Sequence, residues 1–73
     1  MKIYILSVYG QNFIIVDGED YVIYIIDLNN KQIYKTIKEH ETDILTINKI
    51  KFNYKEECLL SLDCCGIIKL WNI

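Results

Sequence analysis

Cys58-Leu-Leu-Ser-Leu-Asp-Cys-Cys-Gly-Ile-Ile-Lys-Leu-Trp-Asn-Ile73 closes the chain. It reads as two strands and a tight turn. Cys58 to Asp63 is a short apolar run. Cys64-Cys65-Gly66 is the turn, with Gly66 free to take a positive φ. Ile67 to Ile73 is a second apolar run and carries the only Trp, Trp71. A hairpin this apolar cannot face water on both sides, so it must be sandwiched or lie inside a larger sheet.

The same pattern occurs earlier in the chain. Moved back by 45 positions, Phe13 to Leu28 lies over Cys58 to Ile73 without a gap. Ile14-Ile15 falls on Leu59-Leu60, Ile23 on Ile68 and Ile25 on Leu70. Ile26-Asp27-Leu28 falls on Trp71-Asn72-Ile73. A self-similar period in the forties, made of short strands, is the signature of stacked propeller blades.

Composition narrows the functional classes. The chain has 73 residues, one small domain at most, and 52% of them are hydrophobic. Fifteen are Ile, a strand former, and there is no Pro. So many apolar residues with so few turn formers imply missing partner surfaces. The net charge is −2 and no Arg is present, which argues against nucleic acid as a partner. The three cysteines, two of them adjacent, make no disulfide framework and suggest a reducing compartment, cytoplasmic or nuclear. Met1-Lys2 is followed by polar interruptions at Ser7, Gly10 and Gln11, so no signal peptide is expected. The apolar runs are too short for a helical membrane span, and no membrane partner is expected.

Taken in order, the chain predicts strands at Lys2 to Val8, Phe13 to Val16 and Tyr21 to Leu28. Turns fall at Tyr9 to Asn12, Asp17-Gly18-Glu19-Asp20 and Asn29-Asn30. Lys31 to Ile37 reads as a strand, although Asn29 can also cap a helix from Lys31 to Glu41. A polar loop, Glu39 to Asp43, precedes a strand from Ile44 that extends towards Phe52. Asn53 to Glu57 is a loop, and the final hairpin follows. The expected fold is all-β: antiparallel meanders of about seven strands. They group as three in residues 1–28 and four in residues 29–73, together one incomplete domain.

The second copy resembles a WD40 repeat of the β-propeller family, and the resemblance covers nearly the whole chain. In that family an outer strand leads to a Gly-His loop, then three strands, and the repeat ends in Trp-Asp. Here Lys31 to Ile37 stands for the outer strand and Glu39-His40 for the loop, with Glu in place of Gly. His40 is followed by Thr42-Asp43-Ile44, and the repeat closes with Leu59-Leu60-Ser61, Cys65-Gly66, Ile68-Lys69-Leu70 and Trp71-Asn72. The resemblance implies a buried polar set of loop His, strand Ser, turn Asp and Trp. His40, Ser61 and Trp71 match, while Cys65 stands where Asp is expected. A thiol is a poor acceptor, so a weakened network is the expectation. The first copy keeps Asp20 at the turn and Asp27 at the end, with Val16 for Ser and Ile26 for Trp.

Other chemistry finds less support in the residues. His40, Cys58, Cys64 and Cys65 lack the spacing of a zinc site, and as a set they read better as soft apolar residues plus a structural His. A Cys65–His40 nucleophile pair has no recognisable oxyanion hole beside it. Asp17, Glu19 and Asp20 lack calcium-loop spacing. No catalytic, metal or cofactor residue is therefore assigned. Tyr4, Tyr9, Tyr21, Tyr24, Tyr34 and Tyr54 are half-buried strand residues or interface anchors.

The expected function is a non-enzymatic scaffold, part of a larger propeller, that presents loops to other proteins or to further blades. The contact candidates are Asp17, Glu19, Asp20, Glu39, Glu41 and Cys64. Two strand groups leave an apolar face open at each end, so the isolated chain is expected to self-associate. The competing readings are a remnant that completes a partner's propeller, and a small Cys/His metal or redox protein.

Overall fold

The computed structural model describes residues 1–52 and 55–73, and the backbone alone at Phe52. The chain is all-β and antiparallel, in two sheets. The first has the order β1 (Ile3–Val8), β2 (Gln11–Asp17), β3 (Ile23–Asp27), β4 (Gln32–Ile37). The second has the order β5 (Ile44–Phe52), β6 (Glu56–Asp63), β7 (Ile68–Trp71). The two hairpins that share the repeat thus lie in separate sheets. Of the loop predicted from Asn53 to Glu57, Asn53 and Tyr54, with any anchoring role for Tyr54, fall outside the described residues, while Glu56 and Glu57 belong to β6 and not to a loop.

Local chemistry sets the turns. Tyr9 and Gly10 both have positive φ, 50° and 75°, as the two-residue hairpin between Val8 and Gln11 requires. Between β2 and β3 the chain makes one 3-10 turn, Glu19–Tyr21, with Asp20 and Tyr21 at positive φ. A Cβ at Gly18 would stand 2.8 Å from Tyr24 Cε2, so glycine leaves room for that ring. Gly66 has φ 80°, and its N–H donates to the Asp63 carbonyl at 3.1 Å, closing the last hairpin.

The expected strand after Lys31 is present and the alternative helix is not, but the expected grouping changes. Residues 32–37 form a strand and do not coil. That strand pairs with β3, Ile23 opposite Ile37 and Asp27 opposite Gln32, so the grouping is four then three and not three then four. The reason is the length of the connection. Leu28 to Lys31 leaves room only for a hairpin, and the Lys31 N–H donates back to the Asp27 carbonyl at 2.8 Å. The strand can therefore reach only its immediate predecessor. The 28/29 boundary marks the sequence repeat, while the chain changes sheet between Ile37 and Ile44.

The core lies between the sheets. Phe13, Ile15, Ile23 and Ile25 of the first sheet cluster with Ile44, Ile47 and Leu59 of the second. Each such side chain contributes roughly 1.5–3 kcal/mol by leaving water. Period-two alternation puts Tyr4, Leu6 and Val8 of β1 towards this core and leaves Ile3 and Ile5 outside, 62% and 70% exposed. Strands β1 and β5 touch directly. Polar clasps join the sheets at both ends. Lys2 Nζ donates to the Leu45 carbonyl at 2.6 Å. At the far end the Tyr9 N–H donates to Glu57 Oε2 at 2.5 Å, and the Glu57 N–H donates to Tyr9 Oη at 2.9 Å.

Candidate functional site

The densest polar cluster in the interior is built from the crossover and the last hairpin. Strand β4 ends at buried Ile37, and residues 38–43 carry the chain over to β5. Within that crossover Lys38, Glu39, Glu41 and Asp43 face solvent, while His40 turns inward and is 6% exposed. Ser61 and Asp63 are two apart on β6, so both face inward, and Trp71 sits opposite Leu59 on β7.

These residues form one chain of hydrogen bonds. Trp71 Nε1–H donates to Ser61 Oγ at 2.9 Å. Ser61 Oγ meets His40 Nε2 at 2.5 Å, and His40 Nδ1 meets Asp63 Oδ2 at 2.9 Å. The direction follows from the partners. An ionised carboxylate only accepts, so Nδ1 carries the proton. Nε2 is then the acceptor for the Ser61 hydroxyl, whose oxygen accepts from the indole. The other Asp63 oxygen, Oδ1, accepts the backbone N–H groups of Cys65 at 2.9 Å and Ile67 at 3.0 Å.

The acceptor in this set is Asp63, not Cys65. Cys65 is exposed, and only its backbone N–H takes part. The expected weakening by a thiol therefore does not apply, and the four-residue chain is complete. The His40 hydrogen bond, helped by the two backbone donors, holds the Asp63 carboxyl below its ordinary 3.8 against the opposing effect of burial.

Serine, imidazole and carboxylate in this sequence invite comparison with a nucleophile, its base and its orienting group. Access separates the two cases. Ser61 is 0% exposed, and its oxygen already accepts from Trp71. A Cys65–His40 pair is not formed either, since both ring nitrogens of His40 are taken by Asp63 and Ser61. Among the described residues no three His, Cys, Asp or Glu side chains converge as metal ligands, and the three thiols are free.

The loops predicted as contacts gather at one end of the sheets. The β2–β3 turn, the crossover and the β6–β7 turn line a cleft of about 380 Å³ through Asp17, Gly18, Tyr21, Asp43 and Cys64. The Cys64 N–H donates to the Asp43 carbonyl at 2.9 Å and ties two of these loops together. Glu19, Asp20, Glu39, Glu41, Cys64 and Cys65 are exposed there. Asp17 is not a surface residue: it is 9% exposed, and its Oδ1 accepts the Lys2 N–H at 2.7 Å. It binds the first strand to the end of the second, as Asp63 does the turn that follows it. A second hollow of about 390 Å³ lies between Glu39, Glu41, Thr42, Cys65 and Lys69, with Asp63 at its floor.

Residues outside this polar chain complete the frame. Asp27 is 7% exposed and accepts from Gln11 Nε2 at 2.7 Å and the Asn29 N–H at 2.8 Å. Tyr9 and Glu57 form the far clasp. Same-face spacing was a usable signal for Asp63, two residues beyond Ser61 on a strand. Nothing local in the sequence announces the Tyr9–Glu57 pair. Comparison with family models, characterised proteins and solved structures returns no match.

Proposed function

We propose that this chain is a non-enzymatic scaffold of the WD-repeat kind, part of a propeller-like array, that holds one set of loops rigid for other proteins to dock on. The observation that carries this reading is the buried Trp71–Ser61–His40–Asp63 chain. It uses the one histidine, a buried serine and an aspartate to fasten the crossover to the last hairpin, which is structural work. Breaking such a network leaves buried polar groups unpaired at roughly 1–3 kcal/mol each. The loops it steadies carry exposed Glu39 and Glu41 beside exposed Cys64 and Cys65. An acidic, rigid rim of this kind suits a partner with a basic patch. The free thiols are in keeping with an intracellular setting.

The test is affinity capture with the immobilised chain and with a Glu39→Lys/Glu41→Lys variant whose far-UV spectrum is unchanged. Loss of the captured proteins with the variant, and their retention with Lys31→Glu on the opposite end, is the expected outcome. Equal capture by both variants, or none by the parent chain, contradicts the reading.

A further inference from the structure

We infer that copies of this chain associate head to tail, the outer face of the first sheet of one copy packing on the outer face of the second sheet of the next. This deepens the reading above, because it rests on the two sheets being copies of one unit.

The argument starts from the 45-residue interval. The β2–β3 and β6–β7 ladders keep it, while β1 and β5 are related by 44 residues and present the same faces. Val16 pairs with Tyr24, and Ser61 pairs with Lys69. Phe13 pairs with Asp27, and Leu59 with Trp71 matches Ile14 with Ile26. Positions can therefore be compared face by face. The first sheet's inner face carries Ile15, Ile23 and Ile25, which are 0%, 1% and 0% exposed. Their equivalents are Leu60, Ile68 and Leu70, and these lie on the second sheet's outer face. Ile68 and Leu70 are 60% and 52% exposed. In the other direction, inward-facing Leu59, Ser61 and Trp71 correspond to Ile14, Val16 and Ile26 on the first sheet's outer face.

The two buried faces are thus different faces of the same unit. The contact inside the molecule joins unlike surfaces, and it leaves one surface of each kind uncovered. A contact between unlike surfaces repeats in one direction and builds rings or filaments. The uncovered pair keeps the chemistry of the buried pair. Val16 and Ile26 replace Ser61 and Trp71, so the outer face needs no buried hydrogen-bonding set of its own. No charged residue stands at Ile3, Ile5, Ile14, Val16 or Ile26, nor at Leu60, Leu62, Ile68 or Leu70. Glu56, at the start of β6, is the charged residue on the second outer face, and the apolar centres of both faces are surfaces that call for a partner. The occupant that already matches each of them in register is the opposite face of another copy.

Sedimentation velocity of the full 73-residue chain and two variants tests this. Ile14→Lys blocks the first outer face, and Leu70→Lys blocks the second. The parent chain should form species larger than a dimer as concentration rises. Each variant alone should be monomeric, because its intact face has no complementary partner. An equimolar mixture should form a one-to-one dimer and stop there. A single variant that dimerises by itself shows like-on-like pairing and overturns the proposal. A mixture that stays monomeric overturns it too, as does a parent chain that is monomeric throughout. Far-UV spectra and Trp71 emission report folding, and Val16→Lys with Ile68→Lys provides a second pair if the first does not fold. Loop-borne capture through Glu39 and Glu41 is read separately, so failure of one result leaves the other standing.

Discussion

Asp63 is the residue on which the interior turns. Its two oxygens divide the work: one holds His40 and the other holds the backbone of the final turn. Because the folded carboxyl titrates below its ordinary 3.8, the stability it contributes is fully present above that value. It is lost as pH falls through 3.8 towards the lowered folded value. Urea unfolding followed by Trp71 emission should show this loss below about pH 4. Asp63→Asn should lower stability at neutral pH and flatten the acid limb, while Cys65→Ser should alter neither. A Cys65→Ser chain that loses as much stability as Asp63→Asn would return the acceptor role to Cys65. The residue was legible in outline. His40, Ser61 and Trp71 could be picked from sequence, but the carboxylate was sought at the tip of the turn, opposite Asp20. Strand geometry puts it at the end of β6, because residues two apart share a face and Ser61 already points inward.

At the scale of elements, the strands and turns could be read from alternation and from Gly and Asp positions. Their grouping could not. The 45-residue interval divides the sequence before residues 32–37, but a hairpin of four connecting residues commits that strand to β3. Connection length outranks repeat phase here, since the chain must pair where it can first reach. Cross-sheet clasps such as Tyr9–Glu57 were invisible for a different reason: the partners are 48 residues apart and carry no common pattern. The turns themselves carry definite costs. Gly66 sits at φ 80° with nothing within 4 Å of where a Cβ would be, so space is not the constraint. Gly66→Ala should still cost about 1–2 kcal/mol from left-handed backbone alone, measured by chemical unfolding. Gly66→Asn should cost less, because Asn tolerates that region better. Equal stability of all three would mean the turn can relax out of this conformation.

For the whole molecule, the central feature is the way the two sheets meet. They pack through unlike faces of a repeated unit, pinned by Lys2–Leu45 at one end and by Tyr9–Glu57 at the other. The seven strands, the exposed outer faces and the clustered loops all follow from that arrangement. Methyl and aromatic NOE spectroscopy on the Leu70→Lys chain tests it most directly. Phe13, Ile15 and Ile25 should show cross-peaks to Ile44, Ile47 or Leu59, with none from Ile5 or Ile14 to the second sheet. Cross-peaks from Ile5 or Ile14 to Leu59 or Ile47, with the Ile15 and Ile25 set silent, would mean the sheets meet through the other face and would contradict the account.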